Sequence, residues 1–265
     1  MRDLSITLVQ THTVWHEPAA NRERFAERLA GLAEETDLVL LPEMFTTGFT
    51  MASAEQAETM DGPTVAWLLD QAARLDAAVC GSVVVEEGGR HYNRFLAALP
   101  DGGLVAYDKR HLFRMADEHA HYSAGTERRV FTFRGWRICP QVCYDLRFPV
   151  FSRNRLAGED AVDAYDLLLY PANWPARRAH QWRTLLPARA VENLAYVAGV
   201  NVVGTDGAGV AYAGGSGLWS FTGEIAADLG DGDADARCLL SAGALADWRA
   251  AFPAWKDADD FVLAR

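Results

Sequence analysis

The chain has 265 residues, half of them hydrophobic, and a formal net charge of −11 at pH 7. This length and apolar content are sufficient for a sizeable core, and the acidic balance argues against a basic face that binds nucleic acid or an anionic membrane. No stretch reaches the ~18 apolar residues of a membrane span, and the N-terminal segment lacks the apolar region of a signal peptide. Four cysteines are too few for a disulfide scaffold in a chain of this length, so we expect free thiols in a reducing cytoplasm.

The first half of the chain predicts alternating strands and helices, followed by hairpins. Residues Leu4–Gln10 alternate apolar and polar side chains, which is typical of a half-buried strand. Apolar residues at helical spacing predict a helix over 18–36, and a continuous apolar run predicts a buried strand over 37–45. Residues that favour a helix start open a second predicted helix over 61–79. Short apolar runs separated by glycine-rich turns predict antiparallel strands over 79–85, 93–100 and 102–113.

The second half repeats this pattern without a break in composition, so we predict a single domain over residues 1–265. Pro140 cannot donate to a strand ladder, so a bulge or an unpaired position is expected there. Pro187 is expected to kink or interrupt the helix that contains it. The predicted elements are a hairpin over 129–145, a buried strand over 165–175, a helix over 179–196, strands over 196–206, 216–223, 224–230 and 236–243, and a short helix over 243–252.

Three of the predicted strands end in a reactive side chain, namely Glu43, Lys109 and Cys143. Each residue also has an ordinary structural interpretation. A cysteine in an apolar strand usually fills the core, and a lysine among charged neighbours usually lies in a solvated loop. Glutamate is almost never fully buried unless it is paired, so Glu43 must leave the core or find a partner in it. Reactive groups of α/β enzymes gather at the carboxyl ends of strands, which by itself is only a hint of a catalytic role for Cys143.

The segments around these three residues resemble the nitrilase superfamily. They are Leu41-Pro42-Glu43, the stretch from Lys109 to Phe113 and the stretch from Cys143 to Pro149, and further similar segments follow as far as about Phe221. The resemblance implies an α/β fold in four layers, an α-β-β-α sandwich with two mixed β-sheets. It also implies catalysis without a metal or cofactor and a homodimer formed through outer helices, for which the aromatic C-terminal stretch 247–263 is suitable.

Within the superfamily the chain is most similar to omega-amidases, which hydrolyse 2-oxoglutaramate and related ω-amides. The resemblance implies that Cys143 is the nucleophile and Glu43 the proton acceptor and donor, and that Lys109 stabilises the oxyanion together with the Tyr144 N–H. A nearby Lys109 ammonium is expected to favour the Cys143 thiolate. Glu118 matches a second glutamate of the family, although it could equally be a surface loop acid. Cys139 is then structural.

Residues near the strand ends are candidates for the substrate pocket. Asn173 and Trp174 follow a buried strand and are expected to line the pocket, and Phe45 and Tyr122 to narrow it. Asp145 and Arg147 are expected to form a local ion pair, with substrate binding by Arg147 as the alternative. A small amide with a free carboxylate is the expected substrate, and the sequence does not rank the arginines that could bind it, which are Arg147, Arg177 and Arg178.

Two other functions remain open on the sequence. A nitrilase or an N-carbamoyl amidase would use the same catalytic residues on another substrate. A non-catalytic binding module could keep the fold, but it would have no need to keep Glu43, Lys109 and Cys143 together.

Overall fold

Two six-stranded mixed β-sheets form the centre of the structure, a computed structural model that describes residues 1–32, 36–156, 164–259 and 261–263. The strands of the described residues are β1 Leu4–Gln10, β2 Leu38–Leu40, β3 Ala78–Glu87, β4 Arg90–Ala98, β5 Leu104–Asp108, β6 Phe131–Phe133, β7 Trp136–Pro140, β8 Leu167–Pro171, β9 Tyr196–Val200, β10 Val203–Thr205, β11 Ala211–Ala213, β12 Gly217–Trp219, β13 Ile225–Asp228 and β14 Ala234–Leu240.

The helices lie outside the sheets and in the connections. They are α1 Pro18–Leu29, α2 Ser53–Gln56, α3 Pro63–Leu75, α4 Glu118–His121, α5 Pro149–Ser152, α6 Ala179–Asn193 and α7 Ala242–Ala251, with 3₁₀ turns at Arg114–Ala116, Cys143–Arg147, Ala176–Arg178 and Ala254–Asp257. Within the described ranges, no helix is long and apolar enough to cross a membrane.

The two sheets have the same plan. The first has the order β14-β1-β2-β3-β4-β5 and the second the order β13-β12-β9-β8-β7-β6. In each, three adjacent strands run parallel, β1-β2-β3 in the first and β7-β8-β9 in the second, and antiparallel strands flank them on both sides. Because the carboxyl ends of parallel strands lie at one edge of a sheet, each sheet presents one such edge to the loops that follow.

The core divides into the layers of a sandwich. Side chains of β1, β2 and β3 such as Ile6 and Leu40 lie in one buried cluster with Ile138 and Leu169 of the second sheet. The opposite face of the first sheet packs in a separate cluster against α1 and α3, for example through Phe25. Helix α6 covers the outer face of the second sheet over β9. The predicted four-layer α-β-β-α fold is therefore confirmed.

The predictions for Pro140 and Pro187 have different outcomes. Pro140 pairs in register with Leu169 of β8 on one side. On its other side, β6 pairs with β7 only as far as Ile138. The Pro140 nitrogen, which cannot donate a hydrogen bond, therefore faces no strand of the described residues. An unpaired position is thus what the structure shows. Of the two outcomes predicted at Pro187, a kink or an interruption, the interruption is wrong, because α6 runs through Pro187 from Ala179 to Asn193. Burial of Trp182, Leu186 and Ala190 against the second sheet outweighs the one hydrogen bond that Pro187 cannot donate.

Several predicted elements are longer than the observed ones. The strand predicted over 37–45 is paired only at Leu38–Leu40, and the helix predicted over 18–36 ends at Leu29. Part of that predicted helix, residues 33–35, lies outside the described residues. The hairpin predicted around Gly135 is confirmed, with Phe133 opposite Trp136 and both turn residues at positive φ.

Gly199 of β9 allows α6 to approach the second sheet closely. A Cβ at this position would lie 2.8 Å from a ring carbon of Trp182 and 2.9 Å from a methyl carbon of Leu186. We predict that Gly199→Ala destabilises the fold by about 1–3 kcal/mol through overpacking, measured as a lower midpoint of urea unfolding. Gly232→Ala is the matched control, since a Cβ there meets no atom within 4 Å. An equal effect of both substitutions would contradict this account of the packing.

Candidate active site

A cavity of about 330 Å³ opens where the loops after β2, β7 and β8 meet. Its floor contains Lys109, Cys143 and Asn173. The remaining described residues that line it are Trp15, Phe49, Met51, Phe113, Met115, Ala116, Tyr144, Arg147, Trp174, Pro175, Arg177, Arg178, Asp206, Ala208, Val210 and Tyr212.

Lys109 is enclosed by two carboxylates. Its Nζ donates to Glu43 Oε1 at 2.8 Å and to both carboxylate oxygens of Glu118 at 2.9 Å. All three side chains are fully buried. Glu118 is therefore not a surface loop acid, because it pairs with the same ammonium as Glu43. Removal of Lys109 would leave two buried carboxylates without a counter-charge.

Asn93 of β4 connects the two carboxylates. Its Nδ2 donates to Glu43 Oε1 at 2.8 Å and to Glu118 Oε1 at 3.1 Å, and its Oδ1 accepts from Ser82 Oγ at 2.8 Å. Ser82 Oγ also accepts from the Met44 N–H at 2.9 Å, next to Glu43 in the chain. This chain of hydrogen bonds fixes both acids relative to the first sheet.

Asn173 holds Glu43 from the second sheet. The Asn173 N–H donates to Glu43 Oε2 at 2.8 Å, and its side-chain Nδ2 donates to the Glu43 backbone carbonyl at 2.6 Å. One carboxylate oxygen of Glu43 thus accepts from Lys109 and Asn93 and the other from Asn173. Asn173 lines the cavity as expected, but its observed hydrogen bonds orient the acid.

Cys143 stands at the start of a 3₁₀ turn, three residues beyond the end of β7, with φ of 45°. This left-handed conformation costs a non-glycine residue roughly 1–2 kcal/mol, so the surroundings must hold it. Asp145 does so from the same turn. Its carboxylate accepts from the Val142 N–H at 2.9 Å, the Tyr107 hydroxyl at 2.7 Å and the His111 N–H at 2.9 Å.

The environment of Cys143 keeps its thiol protonated at rest. Burial, followed by the Glu43 carboxylate, raises the pKa of the thiol well above its usual value, and the Lys109 ammonium only partly opposes this. Lys109 favours the thiolate, as expected, but burial and Glu43 outweigh its effect on the pKa of the thiol. The thiol instead hydrogen-bonds to Glu43, the group that can remove its proton.

Burial and neighbouring charges also shift the pKa values of Lys109 and Glu118. Two carboxylates raise the pKa of Lys109 above its usual value despite burial, so the residue stays an ammonium. Burial raises the pKa of Glu118 and the neighbouring Lys109 opposes the change. A proton moved from sulfur to Glu43 leaves the net charge of the cluster unchanged.

Two of the residues expected in the pocket do not line it. Phe45 is buried on the helix side of the first sheet, against Phe25 and Trp67. An extended strand would place Phe45 on the same face as Glu43, but the chain turns from Glu43 onward and Met44 has φ of 44°, which breaks that alternation. Tyr122 lies behind the ion cluster, with its hydroxyl donating to the Thr50 carbonyl at 2.7 Å, and it does not reach the cavity.

The predicted ion pair between Asp145 and Arg147 is not formed. Asp145 turns inward to Tyr107 and His111, whereas the Arg147 guanidinium lies over the Trp174 ring, with its carbon 5.2 Å from the ring centroid. Both Arg147 and Trp174 line the cavity.

Much of the cavity wall was not found from the sequence. Trp15 reaches it from the loop after β1 and packs on Gly207, where a Cβ would lie 2.3 Å from the indole ring. Asp206 and Tyr212 enter from the β10–β11 hairpin and are hydrogen-bonded to each other at 2.7 Å. No local pattern marks these residues, since only the folded loops bring them to the cavity. Asn93, which connects the two acids behind the wall, could have been noticed as a polar residue at the start of a predicted strand.

A family model, curated relatives and a solved structure all match this chain as carbon-nitrogen hydrolases or amidases. Residues 5–243 match the family described as carbon-nitrogen hydrolase. The chain is 49% identical to omega-amidase YafV of Yersinia enterocolitica, over 99% of this chain and 100% of the relative. It is 31% identical to the 2-oxoglutaramate amidase of Bacillus subtilis, over 76% and 77% of the two chains. The crystal structure of XC1258 from Xanthomonas campestris, a CN-hydrolase superfamily protein with an arsenic adduct in its active site, superposes with a TM-score of 0.96 at 51% identity and covers both chains fully.

The protonated thiol predicts a characteristic pH dependence of alkylation. Because burial and Glu43 raise the pKa of Cys143, the rate of its reaction with iodoacetamide should keep rising with pH beyond about 8.5, the usual thiol pKa. Mass mapping of the labelled peptide measures this rate, and Cys143→Ala is the control. We also expect Cys143 to react before Cys80 and Cys139, which are buried away from the cavity. A rate that is already constant below pH 8 would show a standing thiolate and contradict the prediction.

Proposed function

Since the chain belongs to the carbon-nitrogen hydrolase family, we propose that it hydrolyses the terminal amide of small dicarboxylate monoamides such as 2-oxoglutaramate. The observation that carries the proposal is the cluster of Cys143, Glu43, Lys109 and Glu118 at the floor of a cavity walled by arginines. Its similarity to omega-amidase YafV and to 2-oxoglutaramate amidase supports this substrate class.

The first half of the reaction forms a thioester and releases ammonia. Glu43 accepts the proton of the Cys143 thiol as the sulfur attacks the amide carbonyl carbon, which gives a tetrahedral intermediate. Glu43 then donates that proton to the amide nitrogen, the carbon–nitrogen bond breaks and ammonia leaves. Lys109 is an unsuitable proton donor, because its pKa is raised and it stays charged throughout.

The tetrahedral intermediate places negative charge on the former carbonyl oxygen. Lys109 supplies a permanent positive charge at the cavity floor. The Tyr144 N–H lies in the first turn of the 3₁₀ segment and has no acceptor among the described residues, so it is available to donate to the oxyanion. Donors aimed at a developing oxyanion lower the barrier by roughly 3 kcal/mol each.

The second half of the reaction restores the enzyme. Glu43 takes a proton from a water molecule, and the resulting hydroxide adds to the thioester carbonyl carbon. The carbon–sulfur bond breaks and the proton on Glu43 returns to sulfur. The product carries a carboxyl group where the substrate had its amide. Glu118 and Asn93 act indirectly in both halves, since they hold Lys109 and Glu43 in place.

The cavity wall favours a substrate that carries a negative charge. Of its described lining residues, Lys109, Arg147, Arg177 and Arg178 are cationic and only Asp206 is acidic. Asp206 is occupied by its own hairpin, because it accepts from the Ala208 and Val210 N–H groups and from the Tyr212 hydroxyl. A carboxylate at the far end from the amide therefore meets an excess of positive charge.

We predict that Glu43→Gln lowers kcat by at least about 10³-fold while the fold is retained. Glutamine has nearly the same shape but can neither accept the thiol proton nor deliver it to ammonia. Ammonia release from 2-oxoglutaramate measures activity, and circular dichroism with thermal unfolding checks the fold. Glu27→Gln on the exposed face of α1 is the control and should leave activity unchanged. Wild-type activity in a folded Glu43→Gln variant would make Glu43 a structural acid.

Substrate profiling distinguishes the proposed activity from its alternatives. We expect 2-oxoglutaramate to be hydrolysed with a higher kcat/KM than uncharged amides of similar length, nitriles or N-carbamoyl amino acids. The reason is that an uncharged substrate leaves the arginines of the cavity wall without an anionic partner in the transition state, which lowers kcat/KM. Faster turnover of a nitrile or a carbamoyl amino acid would assign the chain to that activity instead, and failure to turn over any of them would favour a non-catalytic binding module.

A further inference from the structure

Three guanidinium groups line one side of the cavity, and their pairing is incomplete. Arg147, Arg177 and Arg178 form no ion pair with an acid in the described residues. Arg177 is exposed, and Arg147 rests on Trp174. Guanidinium groups that converge without an acid repel one another, so an anion placed between them would relieve the repulsion.

Arg178 differs from the other two because part of its guanidinium is buried and unsatisfied. Its Nη1 is inaccessible to solvent and has no hydrogen-bond partner. Its Nη2 contacts only the Met115 thioether, at 3.1 Å, and a sulfur of this kind is a weak acceptor. Burial, followed by the charges of Arg177 and Arg147, lowers the pKa of Arg178 from its usual value. A buried donor without a partner is costly and is typical of a group whose partner is a ligand.

The position of Arg178 is fixed relative to the catalytic cluster by Phe113. The guanidinium carbon of Arg178 lies 5.3 Å from the centroid of the Phe113 ring, in a cation–π contact. The backbone N–H of the same Phe113 donates to Glu118 Oε2 at 2.5 Å, and Glu118 in turn holds Lys109. On its other side, the Arg178 carbonyl accepts from Trp174 Nε1 at 2.7 Å. Arg178 thus has a defined distance to the groups that receive the amide.

We propose that Arg178 is the residue that binds the free carboxylate of the substrate and so sets which end of a dicarboxylate monoamide reaches Cys143. A carboxylate can accept two parallel hydrogen bonds from a guanidinium, which fixes orientation as well as adding affinity. Arg147 contributes positive charge from its place over Trp174, without the unsatisfied donor. This inference rests on the proposed amidase function, but the binding of a dicarboxylate can be measured without any turnover.

The kinetic test compares glutaramate with pentanamide, which have the same chain length and differ in carboxylate against methyl. Arg178→Met should lower kcat/KM for glutaramate by about 10- to 150-fold, the range for a lost charge-assisted hydrogen bond, and change pentanamide by less than about 3-fold. Arg178→Lys keeps the charge but not the paired donors and should recover only part of the loss. Arg183→Met, an exposed residue of α6, is the control that should change neither substrate.

Binding of glutarate, which carries a carboxylate at both ends, gives a readout that does not depend on catalysis. Glutarate should raise the Tm of the wild type and of Arg183→Met, and this stabilisation should be lost in Arg178→Met. Equal losses on glutaramate and pentanamide, or retained glutarate stabilisation in Arg178→Met, would overturn the assignment. A selective loss in Arg177→Met or Arg147→Met with Arg178→Met unaffected would move the carboxylate to that arginine. Glutarate binding through Arg178 without hydrolysis of any amide would support this inference and contradict the proposed function.

Discussion

The buried ammonium of Lys109 between Glu43 and Glu118 is the interaction on which the site depends. Three ionisable side chains are removed from water together, which is tolerated only because each charge has a partner at hydrogen-bond distance. Lys109 comes from the end of β5 and Glu118 from α4, while Glu43 follows β2. Loss of Lys109 would leave both acids unpaired in the core, so the ion cluster ties the loops of the first sheet to one another.

The same cluster determines how the cysteine can react. A thiolate next to two carboxylates would add a third negative charge in a buried site, and the raised pKa of Cys143 reflects this cost. Transfer of the thiol proton to Glu43 avoids it, because one negative charge disappears as another forms. The arrangement therefore favours a neutral thiol that is activated only as it attacks, with Lys109 as a constant positive charge rather than a proton carrier.

The site also depends on how the two sheets face each other. Glu43 belongs to the first sheet but accepts from the Asn173 N–H of the second. Cys143 belongs to the second sheet, yet the Asp145 that supports its turn accepts from Tyr107 of β5 in the first. Glu43 and the turn that carries Cys143 are therefore each held by the opposite sheet, so a shift between the sheets would separate the thiol from the Glu43 carboxylate. The closely packed core between the sheets keeps that separation fixed.

The strands, the helices and the three central catalytic candidates could be predicted from the sequence because they are encoded locally, and the four-layer sandwich was implied by the resemblance to the nitrilase superfamily. Apolar periodicity marks strands and helices, and Glu43, Lys109 and Cys143 each stand in a short recognisable segment. Only the tertiary structure decided where side chains point after a strand has ended. Phe45 was misplaced because the turn at Met44 breaks the alternation of an extended chain, and the choice among three arginines depends on contacts with Phe113 and Met115 from a distant loop. The resting state of the thiol was likewise decided by burial and by neighbours far apart in sequence, which no local pattern records.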